Sequence, residues 1–210
     1  MKGSLIVVGF FLLGLLAGHS GTLPAWVTQC DISFVALCGL LLCVGIGIGM
    51  NTDMKSDIKS LSPRLALLPL VTILGSWLGA VVAFLIMSAG DGVVLQHRAL
   101  TDCLALDSGF AYYSLSSIFI TEYRGAELGT IALLANIIRE MITLLLTPLL
   151  AKWAGPLAPI STGGATTMDT TLPIITKTIG QKYVALSIYH GFVTDFTVPF
   201  LVTMWCMMSA

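Results

Sequence analysis

Long blocks of Leu, Val, Ile, Ala and Gly follow one another along this chain, separated by short polar links. In order they are Leu5–Gly21, Ile32–Met50, Leu65–Gly90, Leu100–Ile120, Glu127–Ala151, Leu157–Thr176 and Tyr183–Met208. Several have about the length that crosses the roughly 30 Å hydrocarbon core of a bilayer. The second, third, fifth and seventh run without interruption and predict continuous helices. The fourth and sixth are broken by small and polar residues and predict discontinuous or re-entrant segments. The first follows Lys2 and resembles the apolar stretch of a secretory signal, but charge counting uses it well as a short first span. The expected fold is therefore an all-α polytopic membrane protein of about seven hydrophobic segments.

Composition agrees. Of 210 residues, 56% are hydrophobic and only 10% charged, where soluble domains carry about 25% charged residues. The net charge of −1 is near balance and argues neither for nucleic acid nor for a polyanionic partner. Cys30, Cys38, Cys43, Cys103 and Cys206 are scattered, with no CxxC and no His at ligand spacing, and read as small packing residues. "GIGIGM" (Gly45, Gly47, Gly49) ends an apolar helix with no preceding strand, so it reads as close packing rather than a phosphate loop. "GLLAG" (Gly14, Gly18) and "GSWLG" (Gly75, Gly79) are small-xxx-small pairs suited to helix contact in lipid.

If all seven segments cross, Lys2, Lys55, Lys59, Arg64, Arg124, Lys177 and Lys182 share one side, with Arg98 and Lys152 on the other. Positive residues collect on the cytoplasmic side. This bias predicts a cytoplasmic N-terminus and an external C-terminus. The parity is the same if both broken segments re-enter.

Charges inside such segments cost about 2.5–3.5 kcal/mol each on insertion scales, so each needs a partner, a water-filled cavity or a use. The fifth segment carries Arg139 and Glu140 near its centre; with Asn136, Thr143 and Thr147 they form a polar stripe. The sixth contains "STGGATTMDTTLP", in which Thr166, Thr167, Thr170 and Thr171 flank Asp169, the natural counterpart of that stripe. Gly163, Gly164 and Pro173 weaken the helix there, and hydroxyls can satisfy the backbone groups that a break frees. The fourth segment repeats the pattern with Asp107, Ser108 and Gly109, followed by Tyr112, Tyr113, Ser114, Ser116 and Ser117. Two such segments are what a transporter core with discontinuous helices contains, and they are expected to face each other near the membrane centre. In the seventh segment His190 shares a face with Thr194 and Thr197 and reads as either a packing donor or a proton-linked group.

With "GIGIGMN", "SGFAYYSLSSIFITE", "ANIIREMI" and "GGATTMDTTLPII" followed by "HGF", in that order and spacing, the chain resembles the LysO-type lysine exporter family from about Leu41 onward. The resemblance implies an inner-membrane exporter of L-lysine and toxic analogues such as thialysine. It also implies an important intramembrane acid at Glu140. Fuller-length members carry a further N-terminal hydrophobic unit, so either self-association as a homodimer or a separate small membrane subunit is expected to complete the structure. Asp195 falls where the family usually has an apolar residue, and no role carries over to it.

A single transmembrane transporter domain over residues 1–210 is the expectation, with no bound cofactor. Glu140 and Asp169 complement the two positive charges of lysine; Arg139 or a half-helix N-terminus could take its carboxylate. Export of a cation against an inside-negative potential costs about 2.3 kcal/mol per charge per 100 mV, so inward H⁺ or Na⁺ must be coupled to it. Asn136, Asp107, Ser108, Tyr112, Tyr113, Ser114, Thr166, Thr167, Thr170, Thr171 and His190 complete the candidate substrate or ion site. An intramembrane aspartyl hydrolase using Asp107 and Asp169 is the rival reading, but neither lies in a GxGD setting. The third reading is a membrane subunit that transports only with its partner.

Overall fold

The structure is a computed structural model that describes residues 63–89 and 100–208, with a few isolated positions between 9 and 46. Apart from those positions, the first two segments of the sequence reading lie outside the described residues. Among the described residues, three helices are long and apolar enough to cross a membrane: Pro63–Ser88, Ala126–Ala154 and Gln181–Met208. They correspond to the third, fifth and seventh segments. Their α-helical parts are α1 (Leu68–Ala89), α4 (Ala126–Ala154) and α7 (Val184–Met208). At its 29 residues, α4 is about 44 Å long by helical rise.

The described part of the chain is helical with short 3-10 turns, and the two interrupted segments are broken where glycine and hydroxyl residues cluster. The fourth becomes α2 (Leu100–Asp107) and α3 (Tyr113–Arg124). The sixth becomes α5 (Ala158–Gly163), a 3-10 turn (Gly164–Met168) and α6 (Leu172–Ile179). Each piece is short; α3, the longest, spans only about 18 Å from its 12 residues.

Both segments are hairpins. Asp102, in the first turn of α2, lies 3.7 Å from Arg124 in the last turn of α3, so the fourth segment leaves at the end of the bundle where it entered. Arg124 also donates to the carbonyl of Cys206 near the end of α7. The sixth segment enters from the opposite end: Leu157 and Ile160 before and within α5 share an apolar cluster with Ile174, Ile175 and Ile179 of α6. Leu65 and Leu68 from the start of the first long helix and Tyr183 and Leu186 from the start of the last belong to the same cluster. Arg124 and Lys152 therefore sit at opposite ends from those assigned by seven crossings.

The hairpin tips meet as expected. The amide of Ala165 donates to the carbonyl of Phe110 over 2.9 Å. Residue 164 must be glycine here: its φ is +59°, and an added Cβ would lie 2.3 Å from the Phe110 oxygen. The facing tip turns through Phe110 and Ala111, both at positive φ and both fully buried.

Candidate substrate and ion site

The polar stripe of α4 is where the broken segments are held. Asn136, 2% exposed, serves the first tip. Its Oδ1 accepts from the Ala111 amide at 2.8 Å, while its Nδ2 donates to the Leu106 carbonyl at 3.3 Å and to the Ala132 carbonyl of its own helix at 2.9 Å. The close approach requires Gly109, where a Cβ would come within 2.3 Å of the Asn136 amide.

Arg139 serves the second. A helix leaves its last carbonyls without intrahelical partners. Near the end of α5, Arg139 Nε donates to the Thr162 carbonyl at 3.0 Å and Nη2 to that of Ser161 at 3.3 Å. Nη2 also donates to Ser76 Oγ of α1 at 3.1 Å. Nη1 lies 3.5 Å from Asp107 Oδ1, and the guanidinium stands 5.3 Å from the centre of the Phe110 ring. The opposite charge that meets Arg139 is thus Asp107 from the first hairpin.

Asp169 lies on the other side, with Glu140. Glu140 Oε1 accepts from Thr170 Oγ1 at 2.6 Å, and Asp169 Oδ1 accepts from the Thr170 amide at 2.5 Å. The Glu140 and Asp169 carboxylates are within electrostatic reach of one another. Asp195 of α7 is within reach of Asp169, and the Tyr112 hydroxyl of both. Three half-buried acids and a phenol therefore gather beside the second tip.

The remaining threonines stabilise the break itself. Thr166 Oγ1 donates to the Gly163 carbonyl and Thr171 Oγ1 to that of Thr166, each at 2.9 Å. Thr167 Oγ1 stands 2.8 Å from the Gly164 carbonyl and 2.9 Å from that of Ser187. His190 is fully buried between Thr72 Oγ1, 2.9 Å from Nε2, and Thr167 Oγ1, 3.3 Å from Nδ1. Because the Thr167 hydroxyl donates to a carbonyl, Nδ1 carries the proton and Nε2 accepts from Thr72. In the first hairpin, Ser108 Oγ donates to the Leu104 carbonyl and accepts from Trp77 Nε1. Tyr113 and Ser114 are exposed at the start of α3 and take no part in the cluster.

A family model described as lysine exporter LysO matches residues 8–206. The chain belongs to the lysine exporter LysO family. It is 32% identical over 199 residues to lysine exporter LysO of Escherichia coli (strain K12), a match covering 95% of this chain and 62% of that protein. It is 37% identical over 130 residues to a putative lysine exporter of Haemophilus influenzae, covering 60% of this chain and 65% of that protein. Each match thus spans under two thirds of the relative's length. No solved structure matches.

For this LysO-family chain, the three membrane-length helices among the described residues fit a membrane protein. Among the described residues no three His, Cys, Asp or Glu side chains are arranged to hold a metal ion. The sequence reading missed three members of the arrangement. Thr72 and Ser76 each look like an isolated hydroxyl on an apolar helix, although their i, i+4 spacing puts them on one face. Asp195 was left without a role.

Proposed function

We propose that the protein exports L-lysine and lysine-like cations across the bacterial inner membrane, through a site at the tip of the second hairpin against α4. The observation that carries this reading is the hydrogen bond of Thr170 to Glu140 beside Asp169, with Asp195 within electrostatic reach of Asp169, in a chain of the lysine exporter family. These carboxylates attract the substrate's ammonium groups, with Tyr112, Thr170 and the hydroxyls of Thr166, Thr167 and Thr171 near the same break. Arg139 ties the second tip to Asp107 of the facing one, which Asn136 and Ser108 hold, and His190 ties the break to α1. Inward movement of H⁺ or Na⁺ drives the export, with an acid of the cluster alternating between substrate and coupling ion.

The N-terminus is cytoplasmic and the C-terminus external. With both hairpins re-entrant, Lys152 joins Lys2, Lys55, Lys59, Arg64, Lys177 and Lys182 inside, and Arg124 joins Arg98 outside, so the charge bias supporting this orientation keeps its size. The assembly is a homodimer or includes a small membrane subunit. The second reading is transport only together with such a subunit.

Expression of Glu140→Gln in cells lacking their own lysine exporter tests the site. The variant inserts at wild-type level and confers no resistance to thialysine. Wild-type resistance from this variant would remove Glu140 from the mechanism.

A further inference from the structure

The two hairpins repeat one another. "SGFA" (Ser108 to Ala111) at the first tip returns as "TGGA" (Thr162 to Ala165) at the second, 54 positions later. The hydroxyl that opens each run bonds four residues back: Ser108 Oγ donates to the Leu104 carbonyl and Thr162 Oγ1 to that of Ala158. Each hairpin then hands over to the next long helix at a glycine of the same shape. Gly125 has φ 89° and ψ 164°, and Gly180 has φ 97° and ψ 161°. Their amides donate to the carbonyls of Thr121 and Thr176, each at 3.0 Å. Because the hairpins enter from opposite ends, the copies are inverted, an arrangement common among transporter folds.

The repeat pairs Asn136 with His190. Each lies 27 residues after a glycine of its own tip, Gly109 or Gly163. Counted from the hand-over glycines, Asn136 is 11 residues along and His190 only 10. The difference closes in space, because Gln181–Tyr183 form a 3-10 turn. Three such residues rise about 6 Å, as much as four α-helical ones. Both side chains thus stand at the same height on their helices, and each meets the tip that precedes it.

The copies differ in one bond. Asn136 accepts from the Ala111 amide, whereas the equivalent Ala165 amide donates to the Phe110 carbonyl of the other tip. His190 therefore holds the second tip by other groups: Nδ1 stands 3.3 Å from Thr167 Oγ1, and the ring reaches the Gly164 backbone. The α7 backbone approaches the same turn, since a Cβ added at Gly191 would lie 2.6 Å from the Met168 amide nitrogen. On the far side of the ring, Nε2 meets the Thr72 hydroxyl of α1 at 2.9 Å. From α4, the Arg139 guanidinium is a charge within electrostatic reach. Both ring nitrogens are engaged and the ring is fully buried.

We infer that His190 is the second unit's counterpart of Asn136. It is a positioning residue that pins the second tip through hydrogen bonds of its neutral ring, and it neither binds lysine nor relays protons. Its bearing on export rests on the transport reading above; the state of the ring does not.

Two substitutions in the full-length chain separate a pin from a proton carrier. His190→Asn keeps a polar group toward Thr167 and cannot take up a proton, while His190→Leu keeps the bulk and loses the bonds. In lysine counterflow at equal incorporation, His190→Leu falls roughly tenfold or more, and His190→Asn stays within about threefold of wild type with an unaltered pH profile. A His190→Asn variant as impaired as His190→Leu, or one with a shifted pH profile, would make the ring a proton carrier. A fully active His190→Leu would mean that the tip needs no pin. Either result overturns the inference. Should the variants fail to insert, or the wild type move no lysine, nitrogen-15 NMR of the imidazole reads His190 directly in purified protein carrying His19→Gln and His97→Gln. A neutral ring protonated at Nδ1 is expected throughout the pH range in which the protein stays folded. A ring that takes up a second proton within that range contradicts the inference, and a ring that stays neutral in a chain moving no lysine upholds it while removing the transport reading.

Discussion

Arg139 and Glu140 are adjacent in sequence yet serve opposite sides of α4, because successive residues on a helix project about 100° apart. The guanidinium is occupied by the carbonyls of Ser161 and Thr162, by Ser76 and by Asp107. The carboxylate meets one threonine hydroxyl and keeps acceptor capacity for a cation. Hydrogen bonds to charged groups contribute about 1.5–3 kcal/mol, and such bonds to Arg139 hold the second break in place. Arg139→Leu leaves two α5 carbonyls and the Asp107 carboxylate without this partner, and its thermal unfolding midpoint falls below that of the wild type. An unchanged midpoint in detergent would show that Arg139 does not hold the hairpins. Gly164→Ala meets a harder obstacle, since both its φ and the Phe110 carbonyl oppose a side chain. Strained backbone of this kind costs on the order of 1–3 kcal/mol before the clash is counted. The variant expresses poorly or unfolds at lower temperature than Gly180→Ala, where φ is also positive but the space is open. Equal behaviour of the two would refute the tip-to-tip contact.

At the level of elements, the breaks were legible and their direction was not. Glycines beside hydroxyl clusters mark where a helix in lipid can be interrupted, because the side chains take over the freed backbone groups. Thr166, Thr167 and Thr171 do this in the structure. Whether a broken segment crosses or turns back depends on contacts between residues far apart in sequence, such as Arg124 with Cys206, which no local pattern encodes. The charge count was blind to it as well, since re-entry exchanges Arg124 for Lys152 and leaves the balance unaltered. Three single-cysteine variants in a cysteine-free background separate the two arrangements. Tyr123→Cys, at the exposed end of α3, and Met207→Cys react with a membrane-impermeant maleimide from the same side, and Lys152→Cys from the other. Labelling of Tyr123→Cys from the Lys152 side would mean that the fourth segment crosses.

At the scale of the molecule, three long helices among the described residues frame two hairpins that enter from opposite ends and touch at Phe110 and Ala165. The polar groups lie where the tips meet, about midway along the frame, and apolar side chains such as Leu74, Leu78, Ile138 and Phe196 cover the outside. The acids at Glu140, Asp169 and Asp195 come from three elements that only this packing brings together; the sequence revealed each charge but not the grouping of Asp195 with the others. The account's central claim is that lysine binds and crosses at this group of acids. Its most direct test is counterflow of labelled lysine into proteoliposomes of the purified protein, with pH and Na⁺ varied independently, for wild type and Glu140→Gln. Losing one charge-assisted contact of about 1.5–3 kcal/mol corresponds to a drop of roughly tenfold or more. The wild type accumulates label and Glu140→Gln falls by at least about that factor at equal incorporation. Equal counterflow by the two, or none by the wild-type chain, would contradict the claim.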